Sequence, residues 1–204
     1  MKKAIVIALA IAGIAGVALA VAAGWELLVV GLAAIVAALA YSGGPRPYGS
    51  AALGEVMVFV FFGLVATVGS AYVQDKSLRL VAVLASMPIG LLAAAILVVN
   101  NLRDIPTDRE AGKNTLAVAL GPERTVTLYR SLVVASFLSL PAISLQVSSP
   151  WPLVAAMALV FAIPPLRQVQ AAADAPTLIG VLGATARLQL VFAVLLALGV
   201  WISS

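Results

Sequence analysis

The run from Leu80 to Val99, LVAVLASMPIGLLAAAILVV, carries no charge and ends abruptly in Asn100-Asn101-Leu102-Arg103-Asp104-Ile105-Pro106-Thr107-Asp108-Arg109-Glu110-Ala111-Gly112-Lys113. An apolar helix of about twenty residues crosses about 30 Å of hydrocarbon, so the first part reads as a membrane span. The second part gathers carboxylates, guanidinium groups and an ammonium at the span's end. Asp104 and Asp108 stand four residues apart, one helical turn, with Asn100 four residues further back on the same stripe. Paired carboxylates are hard oxygen ligands for a divalent cation, and flanking Arg and Lys can hold phosphate. The pattern points to a membrane-surface site for Mg²⁺ and a diphosphate. Pro106 would clash with the carbonyl of Leu102 in a regular helix, which predicts a break or a fresh helical start there. The bland alternative is a solvated loop with ordinary charge pairs.

Working outward, the composition agrees with the span. The 204-residue chain is 63% hydrophobic and 10% charged, against about 25% charged in a soluble domain. Its mean hydropathy is +1.15. An all-α helical bundle within a lipid bilayer follows. With no cysteine and no histidine, disulfides, thiolate or imidazole metal sites and Cys or His catalysis are excluded. A formal charge of +4 is too small and too scattered to imply a nucleic-acid partner. Any metal must be held by oxygen, which favours Mg²⁺.

Apolar runs predict seven spans, near residues 4–23, 25–42, 55–73, 80–99, 125–146, 150–166 and 186–203. Met1-Lys2-Lys3 followed by an apolar stretch and Ala18-Leu19-Ala20 also has the form of a signal peptide, but the hydrophobicity continues through Val30. With Lys2 and Lys3 on the cytoplasmic side, Arg46, Arg103, Arg109, Lys113, Arg124, Arg130, Arg167 and Arg187 join them there. Only Lys76 and Arg79 then lie opposite, an asymmetry of ten to two that satisfies the positive-inside rule. Residues 100–121 become a cytoplasmic cap on a single domain covering 1–204.

Further candidates lie on the same side. Arg46 and Tyr48 occupy a Gly/Pro-rich loop that could reach over the site, or could serve only as turn residues. Glu55 is the acidic residue at that rim and could orient Arg46. Arg187 stands in an otherwise apolar segment, where a charge is costly unless paired or facing a cavity. Tyr129 and Arg130 read as interfacial anchors of the next span. The Phe59–Phe62 stretch could line an apolar tunnel or pack toward lipid.

The letters from Asn100 to Val118 resemble the second aspartate-rich motif of the UbiA-type membrane prenyltransferases. The Gly112-Lys113-x-Thr115-Leu116-Ala117 tail, Tyr41-Ser-Gly-Gly-Pro-Arg-Pro-Tyr48, Gly54-Glu55 through Gly63, and Thr185-Ala-Arg187-Leu-Gln189 are similar to the branch acting on 1,4-dihydroxy-2-naphthoate. The resemblance implies a Mg²⁺-dependent enzyme of the bacterial cell membrane. It would transfer a polyprenyl group from polyprenyl diphosphate to dihydroxynaphthoate, with loss of CO₂ and diphosphate, giving demethylmenaquinone. By resemblance Asp104 and Asp108 are metal ligands and catalytic, and Arg103 and Lys113 neutralise the diphosphate. Asn100 and Asn101 support metal or phosphate, and Arg46, Tyr48 and Arg187 contact substrate. That family has about nine spans and a first Asn-Asp-x-x-Asp motif, whereas no acidic residue here precedes Glu26. The resemblance therefore implies a missing or separate N-terminal segment of two spans, and little activity from these 204 residues by themselves.

Three other classes compete. A prenyltransferase for another aromatic acceptor, such as 4-hydroxybenzoate, is nearest. A transporter would place charge near the bilayer midplane, whereas the acidic residues within the predicted spans, Glu26 and Glu55, stand at span ends. A phosphotransferase of the CDP-alcohol type would show a denser Asp-Gly and Ala-Arg pattern.

Overall fold

The computed structural model describes residues 2–43 and 47–203. The chain folds as α1 (Lys2–Ala23), α2 (Glu26–Ser42), α3 (Gly54–Asp75), α4 (Leu80–Glu110), the short α5 (Leu116–Leu120), α6 (Pro122–Gln146), α7 (Trp151–Gln168) and α8 (Ala175–Ile202). Six of these are long and apolar enough to cross a membrane, and α2 is a shorter apolar helix. Seven helical segments thus occupy the places that the apolar runs predict. Among the described residues no strand forms; a single bridge joins Ala51 and Asn114.

The core centres on α4. Leu92, Val98, Val99, Leu102 and Ile105 are buried against Tyr129 and Val133 of α6 and Val181, Leu188 and Phe192 of α8. Phe192 meets Phe137 edge to face at 5.2 Å. By contrast, α1 and α2 expose most of their apolar side chains. In a bilayer such faces meet lipid or other apolar helices, since their backbone groups are already satisfied internally. The Tyr72 hydroxyl of α3 donates to Glu26 at the start of α2.

Helix α3 changes winding along its length: Phe59–Val65 is a π-helix between α-helical ends. There α3 and α4 nearly touch, and a Cβ on Gly63 would lie 2.5 Å from the Gly90 Cα. Glycine at both positions lets the two backbones approach.

Three expectations are corrected. First, α4 does not break at Pro106; it runs to Glu110 with Pro88 and Pro106 inside it. The Pro106 ring sits on the exposed side, while Leu102 and Ile105 are buried and hold the turns around it. One lost backbone hydrogen bond is offset by that packing. At 31 residues α4 is about 46 Å long. It therefore outruns the hydrocarbon and carries residues 100–110 beyond it. Second, α8 begins at Ala175 rather than near 186. Asp174 caps it, accepting from the Thr177 backbone N–H at 3.0 Å, and Pro176 lies in the first turn. Third, Tyr129 is no interfacial anchor: it is fully buried, with its hydroxyl 2.8 Å from the Thr185 hydroxyl of α8. A buried phenol needs such a partner. Arg130, in the ninth position of α6, donates to the Val169 carbonyl at 3.1 Å.

Candidate functional site

The polar end of α4 holds three linked layers. Outermost, Arg103 grips Asp104 through Nε at 2.7 Å and Nη2 at 2.9 Å, and Nη2 also reaches the Asn100 side-chain oxygen at 3.0 Å. Asn100 in turn donates to Asp104 at 3.3 Å. These three side chains are half-buried and lie on one stripe, as the four-residue spacing predicts.

The second layer is Asp108, buried beneath the following loop. Lys113 donates to its carboxylate at 2.8 Å, and the Lys113 N–H returns to the Asp108 carbonyl at 2.9 Å. Gly112, at φ 69°, permits that tight reversal. The direct bond from Asp108 holds the Lys113 ammonium above the usual lysine range, with Asp104 adding to the effect. Its charge is therefore secure at neutral pH.

The third layer is one that spacing could not reveal. Asn101 is buried and donates to Glu55 of α3 at 2.9 Å, pinning the start of α3 to the end of α4. The second Glu55 carboxyl oxygen is buried and makes no hydrogen bond. Asn101 therefore faces α3, away from the Asn100–Asp104 stripe.

A loop closes over this end. Asn114 donates to the Ser50 carbonyl at 3.1 Å, docking the Tyr48 turn against the Lys113 loop. Tyr48 packs edge to face on Tyr41, with ring centroids 5.5 Å apart, and burial followed by the Tyr41 phenol raises its pKa. The turn that carries Tyr48 is thereby held beside the Lys113 loop, while the Tyr48 ring itself packs on Tyr41. Arg46 lies outside the described residues.

Arg187 is not brought in. It is exposed on α8, two residues before Gln189, and helical geometry turns it away from the face that meets α4. No ion pair forms to it among the described residues.

Beneath Asn100 the surface becomes apolar. A recess of about 400 Å³ is lined by Val58, Phe62, Ile96, Leu97, Leu182 and Gln189. Of the aromatic stretch, Phe62 faces this recess, while Phe59 packs where a Cβ on Gly90 would lie. No group of three or more carboxylates gathers anywhere among the described residues. The donors at the α4 end are instead two carboxylates and an amide oxygen. All are hard oxygen ligands of the kind that suits Mg²⁺, and they are neutralised here by Arg103 and Lys113.

Fold and site together define a multi-pass helical membrane protein with a carboxylate–cation cluster at one end and apolar space directly below it. The chain belongs to the UbiA prenyltransferase family, whose model matches residues 1–175. It is similar to 1,4-dihydroxy-2-naphthoate octaprenyltransferase of Mycobacterium leprae, 39% identical over 94% of this chain and 65% of that protein. The protein of the same description from Mycobacterium tuberculosis is 40% identical, over 93% of this chain and 64% of its own length. The Escherichia coli one is 40% identical over 69% of this chain and 47% of its own length. The chain thus spans about two thirds of the length of the mycobacterial relatives, 65% and 64%.

Proposed function

We propose that this protein transfers a polyprenyl group from its diphosphate to 1,4-dihydroxy-2-naphthoate, with loss of CO₂ and diphosphate, at the end of α4 in a bacterial cell membrane. The observation that carries this is the juxtaposition at Asn100. Two carboxylates and two cations sit above it, and a recess with an apolar lining opens below it. A prenyl diphosphate has that same division between a highly charged head and an apolar tail. The choice of acceptor is supported by the descriptions of the similar proteins.

Each residue then has a task. Asp104 and Asp108, with the Asn100 oxygen, are the groups that would hold Mg²⁺. When bound, Mg²⁺ supplies charge stabilisation to the departing diphosphate. Arg103 and Lys113 exchange their carboxylate partners for diphosphate oxygens, stabilising the leaving group as the allylic C–O bond breaks. The buried Asn101–Glu55 bond acts one step back, fixing α3 against α4 so that both walls of the recess keep their place. Tyr48 closes over the head group from the docked loop, and a substrate contact for Arg46 rests on the sequence resemblance alone. The excess of basic residues on this side supports a cytoplasmic location for it.

The test uses membranes from cells expressing the gene in its full reading frame. They are supplied with octaprenyl diphosphate, 1,4-dihydroxy-2-naphthoate and Mg²⁺. Mass spectrometry should find the decarboxylated prenyl naphthoquinol, and chelation by EDTA should suppress it. Product from 4-hydroxybenzoate instead would assign the other acceptor. Absence of any prenylated aromatic would contradict the reading.

A further inference from the structure

At the end of α3 opposite the Asp104 cluster, α2, α3 and the start of α4 enclose a groove of about 550 Å³. Its walls are apolar, with Leu27 and Val30 from α2, Val68 from α3, Leu78 before α4 and Val83 within it. Gly69 lines it as well, and a Cβ there would meet nothing within 4 Å. From Tyr72 down to Leu64 the groove follows α3 for about 12 Å, close to the depth of one hydrocarbon leaflet, about 15 Å. It is an interface that side chains leave open: α2 packs on α1 and on the Tyr48 turn, but scarcely on α3.

The mouth of the groove is polar, and its charges are unmatched. Glu26, the first residue of α2, lines the rim with its side chain exposed, and its carboxylate accepts from the Tyr72 hydroxyl. A carboxylate has about four acceptor sites, so capacity remains. One turn beyond Tyr72, Lys76 closes α3 in a left-handed conformation at φ 52°, its N–H returning to the Tyr72 carbonyl at 2.7 Å. Neither Glu26 nor Lys76 has an ion-pair partner among the described residues, whereas Arg79 is already held by Asp75. Beside Glu26, the exposed Trp25 is of the type that settles at the level of lipid headgroups.

We propose that this groove binds a phospholipid whose headgroup carries a primary ammonium, of the phosphatidylethanolamine class. The ammonium donates to Glu26, the phosphate lies against Lys76, and an acyl chain descends between α2 and α3 over Gly69. The lipid thereby ties α2 to the body of the bundle. Charge complementarity commits the groove to this occupant. A carboxylate and an ammonium at one mouth match a zwitterion. An anionic headgroup leaves Glu26 without a cation, and a quaternary ammonium has no N–H for the carboxylate to accept.

The test is native mass spectrometry of the full-reading-frame protein in detergent. Dioleoyl phosphatidylethanolamine, phosphatidylcholine and phosphatidylglycerol are added at equal concentration. The wild type should retain phosphatidylethanolamine about three- to fivefold more than either of the others, the upper range for an exposed ion pair. Glu26→Gln keeps the shape and removes the charge, and should bring phosphatidylethanolamine down to the level of phosphatidylcholine. Lys76→Ala should lower all three, since each carries the phosphate; unchanged retention there overturns the headgroup assignment. Glu123→Gln, at an exposed carboxylate on α6, should change nothing. Equal retention of the three lipids by the wild type overturns the proposal, and a further apolar segment or a second copy seated in the groove gives that result. A preference for phosphatidylethanolamine that survives Glu26→Gln overturns it as well.

Discussion

Both ends of the α3–α4 pair carry a carboxylate–guanidinium contact at 2.7 Å, yet only one end has the makings of a catalytic site. At the far end Arg79 bonds Asp75, with side chains 60% and 36% exposed. The two residues lie four apart on one short stretch of chain. At the near end Arg103 and Asp104 are about 30% exposed, and Asp108 beneath them is 8% exposed. Around them converge Asn100, Lys113 and the Tyr48 turn, with Glu55 of α3 bonded to Asn101 on the adjoining face of α4. An isolated exposed ion pair contributes little and attracts nothing in particular. A half-buried cluster that draws on four separate segments costs desolvation and ordering entropy, which selection keeps where charge must be handled.

The contrast can be broken most severely at the carboxylates. Asp104→Ala and Asp108→Ala should each lower prenyl transfer by at least about a hundredfold, the usual worth of a preorganised electrostatic group. Immunoblots of membranes should show unchanged amounts of protein. Asp75→Ala should leave the rate within about twofold, because its pair is exposed and lies at the opposite end of α4. Equal losses at both ends would dissolve the distinction.

Removing a cation at the near end should hurt less. Lys113→Ala deletes one charge but no metal ligand, so the KM for the donor should rise roughly three- to tenfold with kcat falling less. The effect should shrink as salt rises, since Lys113 is half exposed. A change confined to kcat would mean that Lys113 acts on the reacting atoms rather than on binding.

The smallest effect belongs to structure alone. Asp174→Ala removes the cap of α8 and should lower thermal stability by a few degrees. The cap hydrogen bond to Thr177 holds Asp174 below its ordinary carboxylate value. Its contribution is therefore present above that ordinary value and lost as pH falls through the folded one. The difference between wild type and variant should close in acid, which thermal scans at several pH values would show.

How much of this was legible in the sequence depends on how far apart the partners lie. Asn100, Arg103 and Asp104 share one helical stripe, and Asp108 and Lys113 are five apart, so spacing alone brought them together. The membrane spans followed from hydropathy for the same local reason. The start of α8 was also written locally, in Asp174, Pro176 and Thr177, although the apolar run by itself placed it near 186. Packing decided the rest. Pro106 looks like a break until Leu102 and Ile105 are seen buried around it. Asn101 with Glu55, Tyr129 with Thr185, and Gln189 with Ile89 are 46, 56 and 100 residues apart. No periodicity encodes such pairs. Each does have a faint signal: a polar side chain in or beside an apolar run, which must find a partner once buried.

The central claim is that the end of α4 holds a prenyl diphosphate through Asp104 and Asp108. Equilibrium binding of a non-reactive prenyl diphosphate analogue, with and without Mg²⁺, tests it most directly. Three proteins in detergent are compared: the wild type, the Asp104→Ala/Asp108→Ala double variant, and Asp75→Ala. Binding should require Mg²⁺ in the wild type, persist in Asp75→Ala and disappear in the double variant. Mg²⁺-dependent binding that survives loss of both carboxylates would contradict the account.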